Sequence, residues 1–206
     1  MEWGHSLVSA NRLRDGSEEF QKATKIDRKH TPSYVAWANA LAELGEFDKA
    51  VSVLRRVRGP NGSAVRHVAS GTAHLLMGMQ TSDPATAKDY AKLASAKFRR
   101  ALELDPLMKD AHFGLGMALT LEGNTDAAIE KLRFLLKLDP KLANAHRELG
   151  RALTKRGQFE AAFAEINLAR KLDPNAANLD RDLAIVFAHW GDSHIGEGGV
   201  AQALSK

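Results

Sequence analysis

Apolar residues in this chain recur at the spacing of an α-helix. Leu115 and Leu119 stand four residues apart, as do Leu149 and Leu153, so each pair falls on one face of a helix. A glycine follows each of these stretches at a position where helices commonly end in a left-handed residue. We expect a second helix after each glycine, Gly123 or Gly157 for these two stretches. The pattern therefore predicts antiparallel helix pairs without strands.

The Asp-Pro dipeptide recurs at a constant spacing in the second half of the chain. It begins at Asp105, Asp139 and Asp173, and each copy follows a similar segment of apolar and basic residues. A fixed period of this length, about 34 residues, is the sequence signature of a repeat architecture. The spacing predicts that one helix pair is repeated along the chain.

Two series of small residues keep nearly the same period. Small residues allow helices to approach closely, and a large apolar residue four positions after each member of the first series can fill the adjacent groove. The first series with its large partners is Gly16 and Phe20, Ala50 and Leu54, Ala94 and Phe98, Ala128 and Leu132, Ala162 and Ile166, and Gly196 and Val200. The second series, in the other half of each unit, is Gly4, Ala38, Gly71, Gly116, Gly150 and Ala184.

These series divide the chain into six units. One helix pair cannot cover its own apolar face, so we expect the units to stack into a single solenoid over residues 1–206. The first unit is cut short at its start, the third carries an insertion, and the last is degenerate because glycines stand where its second helix should lie. The units are 1–30, 31–63, 64–108, 109–142, 143–176 and 177–206.

The insertion in the third unit lengthens its two helices. It adds about 11 residues, which is close to three helical turns, so it preserves the helical phase. Asp83 followed by Pro84 predicts a helix start there, and the helix should run to about Leu104. The lengthened helix either offers a contact surface that includes Tyr90, or packs Tyr90 on a preceding helix that ends near Met79. The spacing favours packing.

A helix-turn-helix unit with this period and residue pattern resembles the tetratricopeptide repeat (TPR). The resemblance covers nearly the whole chain and implies an all-α, right-handed superhelical solenoid of antiparallel helix pairs. Histidine occupies a slot where the family often carries tryptophan, at His67, His112 and His146. The matching residues in 143–176 are Leu149, Gly150, Gly157, Phe159, Ala162, Ala169, Asp173 and Pro174.

The resemblance also implies a concave groove, lined by the first helix of each pair, that receives an extended or helical segment of another protein. Residues spaced i, i+3 and i+7 identify the lining. Its apolar part comprises Val35, Asn39, Val68, Thr72, Leu75, Phe113, Met117 and Leu121. Its basic part comprises Asn144, Arg147, Arg151, Lys155, Asn178 and Arg181. Alternatively, Arg147, Arg151 and Lys155 form an ordinary solvated stripe that Glu148 partly offsets.

Chaperone-binding members of the family hold a terminal carboxylate with lysine, asparagine and arginine in three successive units. Here Val35 stands in the slot of the first lysine beside Asn39, Ala69 replaces the next asparagine, and Asp110 with Gly114 replaces the closing basic pair. The resemblance therefore disfavours a co-chaperone that binds C-terminal peptides through these units.

Catalytic and cofactor motifs are missing from the sequence. Zero cysteines exclude disulfides, thiolate metal sites and a cysteine nucleophile. The eight histidines lack zinc-ligand spacing, and His189 with His194 spans a helix end predicted at Gly191. No serine has a plausible histidine and aspartate order. We therefore expect no catalytic residue, no metal and no cofactor, and a protein that is not an enzyme.

The net charge of +4 and the pI of about 9.4 are modestly basic. Most cations fall near the ends of second helices, where they complement the helix dipole, and Arg55 and Arg56 are assigned to the outer face. No run reaches about 18 apolar residues, and the start lacks a secretion signal. We expect no membrane insertion and a cytoplasmic location, with the periplasm after processing as the alternative.

These features predict a protein-interaction adaptor or assembly scaffold whose partner is an amphipathic segment with an acidic end. The alternatives are a helical repeat that binds nucleic acid, a structural spacer, and an interaction domain cut from a larger enzyme. Both ends look like cuts. We expect a fragment of a longer protein, a chain that self-associates through uncapped ends, or, third, a complete small protein.

Overall fold

The computed structural model of the chain describes residues 12–57, 62–176 and 178–195. Every regular element in these ranges is an α-helix, which confirms the all-α prediction. The chain divides into two compact units, Met1–Gly123 and Asn124–Lys206, which we call the N-terminal and C-terminal units. The members of the small and large series at Gly4, Gly196 and Val200 lie outside the described residues.

Six helices form the described part of the N-terminal unit. Each helix packs on the next one along the chain, and α2 packs on α4 as α4 does on α6. The first helices of successive pairs therefore lie side by side. The helices are α1 (Leu13–Ile26), α2 (Thr31–Glu43), α3 (Phe47–Leu54), α4 (Gly62–Gln80), α5 (Pro84–Leu104) and α6 (Lys109–Glu122).

Four helices form the described part of the C-terminal unit, where α8 contacts the other three. The predicted helix end at Gly191 is wrong, because the last helix continues to Ile195. Gly191 is not among the glycines with positive φ, so it does not supply the left-handed turn that stops a helix. The helices are α7 (Thr125–Leu138), α8 (Ala143–Lys155), α9 (Phe159–Leu172) and α10 (Leu179–Ile195).

Close approach of backbone to large side chains explains the small residues at Gly71 and Gly150 in the second series. A Cβ atom on Gly150 would lie 2.5 Å from Cγ1 of Ile166, and one on Gly71 would lie 2.9 Å from the ring of Phe98. Ala184, on the last described helix, departs from the pattern and is exposed. The large residues are almost fully buried, as Phe20, Leu54, Phe98, Leu132 and Ile166 show.

The Asp-Pro dipeptides form the turns between helix pairs. The Asp139 carboxylate accepts a hydrogen bond from the backbone N–H of Lys141, and Asp105 and Asp173 accept the equivalent bond two residues on. The carbonyl of the following proline accepts a hydrogen bond from Nε2 of a histidine, His112 at 2.9 Å or His146 at 3.0 Å. These two histidines are buried and hold the turn against the next helix.

Left-handed glycines end the first helices of three pairs. Gly45, Gly123 and Gly157 have φ of +77°, +89° and +79°, a region in which a side chain is strained. The two helix ends predicted at Gly123 and Gly157 are therefore confirmed.

The lengthened helices α4 and α5 pack on each other. The Asp83 carboxylate caps α5 by accepting a hydrogen bond from the backbone N–H of Thr86 at 2.9 Å. Ala87 is buried, and a Cβ atom on Gly78 would lie 3.3 Å from Cβ of Tyr90. Tyr90 thus packs on the preceding helix, as the spacing favoured.

A cluster of four charged side chains joins α8 to α10. Nε of Arg147 lies 3.1 Å from Oδ2 of Asp182, and Nη1 of Arg151 lies 3.0 Å from Oε1 of Glu148. Longer contacts of 3.5 Å and 3.8 Å link the two pairs. Both carboxylate side chains are only 7% exposed. Two cations balance two buried anions, and we call this set the ion-pair cluster.

The close approach at Gly150 leads to a test by helical glycine substitution. Gly150→Ala should destabilise the chain by about 1–3 kcal/mol, because its Cβ would overlap Ile166. The matched control is Gly191→Ala in the same unit, where a Cβ would meet nothing within 4 Å. It should stabilise by roughly 0.5–1 kcal/mol through helix propensity. Urea denaturation followed by circular dichroism measures both, and equal effects would contradict this packing.

The ion-pair cluster predicts that removing an arginine from it lowers the free energy of unfolding more than removing an exposed arginine does. Arg147→Ala leaves two buried carboxylates with one arginine, so we expect a loss on the order of 3 kcal/mol in unfolding free energy. Arg170→Ala is the control, because Arg170 pairs with Asp180, whose side chain is 96% exposed. Its loss should stay below about 1 kcal/mol. Similar losses in thermal and urea unfolding would show that burial does not govern the cluster.

Candidate functional site

A groove of about 420 Å³ lies in the N-terminal unit among α2, α4, α5 and α6. Sequence spacing predicted seven of its lining residues. They are Val35, Asn39, Val68, Thr72, Leu75, Phe113 and Met117. Leu121 is not part of this lining; its Cδ2 atom lies 3.0 Å from where a Cβ of Gly78 would be. Ala69, Asp110 and Gly114, which the resemblance placed in the slots of the carboxylate clamp, also line the groove. The lining residues that sequence reasoning did not assign to it are Val65, Leu76, Met79, Phe98 and Met108.

Side-by-side packing of the first helices creates this groove. Val35 and Asn39 lie four residues apart on α2, as Phe113 and Met117 do on α6, so each pair shares a helix face. The hydroxyl of Thr72 donates to the carbonyl of Val68 at 3.1 Å, which satisfies it within its own helix. The groove surface is accordingly more apolar than its composition suggests.

Methionines supply an adaptable part of the lining. Met79, Met108 and Met117 all border the groove, and Met79 is exposed. Methionine has three rotatable bonds and a polarizable sulfur, so it can repack around ligands of different shape. This composition suits a groove that accepts apolar side chains.

Polar character in the groove is concentrated at two residues. Asn39 lies on α2 and Asp110 in the first turn of α6, where it is exposed. Asp110 is the one ionisable side chain in the lining that the structure describes. Neither residue has an ion pair or side-chain hydrogen bond with the described part of the chain.

The four residues in the slots of the carboxylate clamp all line the groove. Val35 and Ala69 are apolar, and Asp110 carries the opposite charge to the expected cation. A Cβ atom at Gly114 would lie 2.3 Å from the ring of Phe98, which is 1% exposed. The buried ring therefore excludes any side chain at position 114.

A second cavity, of about 660 Å³, lies in the C-terminal unit. Of the predicted basic residues, Arg151 and Lys155 line it. The other lining residues are Thr125, Thr154, Gly157, Phe159, Asp182, Ile185 and His189. The predicted residues Asn144, Arg147, Asn178 and Arg181 do not line it.

The residues of α10 that line this cavity are not Asn178 and Arg181, which sequence spacing selected. Asn178 and Arg181 are exposed, and Asn178 precedes α10 with a left-handed φ of 68°. Asp182 turns inward instead, because it pairs with Arg147 on α8. On α10 the cavity is therefore lined by Asp182 and Ile185.

The predicted basic end is largely neutralised. Arg147 and Arg151 belong to the ion-pair cluster with Glu148 and Asp182, a partner that the sequence did not reveal. Lys155 is not one of the four side chains of the ion-pair cluster. Burial lowers the pKa of Lys155, the charge of Arg151 lowers it further, and Glu148 opposes the shift.

Neither the outer face nor the histidines add a second polar site. Arg55 and Arg56 are exposed, as predicted. His67 is half-buried, and burial together with nearby cations such as Lys97 lowers its pKa.

Within residues 12–57, 62–176 and 178–195, no three His, Asp or Glu side chains are grouped to hold a metal ion. The helices in these ranges are also too short or too polar to cross a membrane.

Comparison with known proteins identifies the repeat. Two sequence models, both described as tetratricopeptide repeat, match residues 119–181 and 91–141. No curated protein is significantly similar to the chain in sequence.

Solved structures resemble the chain over most of its length. TTC0263, a thermophilic TPR protein of Thermus thermophilus, shares 20% identity with a TM-score of 0.78, covering 91% of this chain and 96% of its own. PilW, a type IV pilus biogenesis factor, shares 21% with a TM-score of 0.70, covering 98% and 86%. YrrB, a TPR protein with an unusual peptide-binding site, shares 21% with a TM-score of 0.55, covering 87% and 88%.

At these identities the structures establish the fold, and the sequence models establish the repeat. Helix pairs that recur at a fixed period, left-handed glycines at their turns and a small residue facing a large one in successive pairs agree with both. Residues 91–181 therefore carry tetratricopeptide repeats, and the described chain has the fold of solved tetratricopeptide-repeat proteins.

Proposed function

We propose that this chain is a non-enzymatic interaction scaffold that binds a segment of another protein in the groove of its N-terminal unit. The apolar lining of that groove carries the proposal. Seven positions selected by helical spacing on the first helices line it, and they come from the helices that pack side by side. Its volume of about 420 Å³ lies within the ordinary range of ligand pockets.

Structural relatives support a peptide as the class of ligand. YrrB is described as a TPR protein with an unusual peptide-binding site, and PilW as a pilus biogenesis factor. Both descriptions suit a repeat scaffold that acts by binding or assembly. The segment bound by this chain would be amphipathic, with apolar side chains in the groove and polar ones toward water.

Separately from the groove, an acidic side chain of a partner would interact with the cavity of the C-terminal unit. Lys155 and Arg151 line that cavity, whereas Arg147 is held in the ion-pair cluster. Since Arg151 is itself paired with Glu148, the acidic contact would contribute little affinity. Such charges mainly accelerate encounter and fix the direction of a segment.

Nucleic-acid binding is the less favoured function. Arg147 and Arg151 are neutralised by carboxylates, and the groove carries an acidic side chain at Asp110. A nucleic-acid site would present a continuous basic surface, and its affinity would fall steeply with salt.

A second copy of this chain, bound through the chain ends, is a further candidate partner. Such self-association would make the measured molecular mass depend on protein concentration.

Cross-linking from inside and outside the groove tests the proposal. A photoreactive residue placed at Met117 of the intact chain should cross-link a protein segment from native extract, and mass spectrometry should map that segment. The same residue placed at Arg55 on the outer face is the control. Cross-links that form only from position 55 would contradict the groove proposal.

Affinity for the mapped segment, made as a synthetic peptide, separates apolar from charged contributions. Phe113→Ala should weaken binding by about 5- to 30-fold, since one anchor contributes more than about 1 kcal/mol, and leave the salt dependence unchanged. Lys155→Glu should weaken binding only a few-fold and alter its salt dependence.

The paired change Arg55→Glu and Arg56→Glu is the control for charge reversal. If it weakens the peptide as much as Lys155→Glu does, the acidic contact does not lie at the cavity of the C-terminal unit. Fluorescence anisotropy at several salt concentrations measures each case.

A further inference from the structure

We propose that Asp110 makes the groove selective for an internal segment that carries a lysine or arginine beside its apolar anchors. The groove would also reject a C-terminal carboxylate. This inference rests on the proposed function, because it specifies the partner of the same groove.

The charge of the lining supports a basic partner residue. Asp110 is the one ionisable side chain among the described lining residues, and it is exposed at the start of α6. The described part of the chain supplies no cation to pair with it. The positive end of the α6 dipole offsets part of this charge, but it amounts to about half a unit charge against the full charge of the carboxylate. The one formal charge among the described lining residues is therefore negative, which favours a cation in the bound segment.

Rejection of a terminal carboxylate follows from the lack of a cation among the described lining residues. A carboxylate needs a cation or several hydrogen-bond donors when it leaves water. Position 114 cannot supply the cation, because the buried Phe98 ring occupies the space that a side chain would take. Thr72 cannot supply a free donor, because its hydroxyl already donates to Val68, so the Asn39 amide is the one side-chain donor left among the described lining residues. Asp110 would in addition repel the carboxylate.

The geometry of α6 sets the distance between the basic residue and the anchors. Asp110 precedes Phe113 by three residues and Met117 by seven, so at about 1.5 Å per residue they lie about 5 and 10 Å along the helix. An extended segment advances about 3.3 Å per residue. We therefore expect the lysine or arginine a few residues or fewer from an apolar anchor.

Selection of peptides by the intact chain tests this inference without a known partner. The probe is a random library of dodecapeptides displayed at an internal position, and the baits are the wild-type chain and its Asp110→Lys variant. Wild type should enrich apolar anchors with lysine or arginine at the expected spacing. Asp110→Lys should enrich aspartate or glutamate there instead.

Synthetic copies of the selected peptides give the magnitude. Asp110→Asn should weaken a basic peptide by up to about five-fold, the range of one exposed ion pair, and Asp110→Lys should weaken it further. Asp89→Lys is the matched control, because Asp89 is exposed on α5 of the same unit and does not line the groove. It should leave affinity unchanged. A selected peptide should bind more tightly when it ends in a C-terminal amide than when it ends in a C-terminal carboxylate.

Two failures are distinguishable. Enriched apolar peptides that lose affinity with Phe113→Ala, but show no basic preference or keep it in Asp110→Lys, would overturn the charge selectivity and leave the proposed function standing. Peptides that bind Phe113→Ala as well as wild type, or a complete absence of enrichment, would overturn both. Circular dichroism confirms that each variant is folded before it is used.

Discussion

The close contact between the backbone of a glycine and a large buried side chain is the constraint on which the rest of the fold depends. Phe98 lies against Gly71 on α4 and Gly114 on α6, and Ile166 lies against Gly150 on α8. Helices that meet this closely are fixed in rotation and spacing. The faces that remain outside the contact, including those that form the groove, are fixed with them.

The groove of the N-terminal unit was largely predictable from the repeat together with the family resemblance. The resemblance implies that the first helix of each pair lies inside, and helical spacing then selects Val68, Thr72 and Leu75 on one face. Sequence spacing did not reveal the contribution of Phe98, whereas the resemblance to the carboxylate clamp did place Asp110 in the groove. The contribution of Phe98 depends on how neighbouring helices approach, and the glycine at 114 was the available signal.

The C-terminal unit shows where the repeat ceases to be a sufficient guide. Transferring the same spacing to α10 selected Asn178 and Arg181, whereas Asp182 lies inside. The sequence places Asp182 far from Arg147, and only the packing of α10 on α8 brings them together. A charged residue that pairs across helices can thus override the position expected from its place in the unit. The basic stripe consequently has less net charge than it appears to have in sequence.

The contact between Phe98 and Gly114 restricts how this protein could change its ligand during evolution. Gly114→Lys would place a cation in the groove, but its Cβ would collide with the ring. Shrinking Phe98 first would open a cavity, at a cost of about 3–5 kcal/mol for a change to alanine. Each order of the two substitutions therefore passes through a damaged intermediate. A lineage carrying this pair would be held on its present side of a fitness barrier.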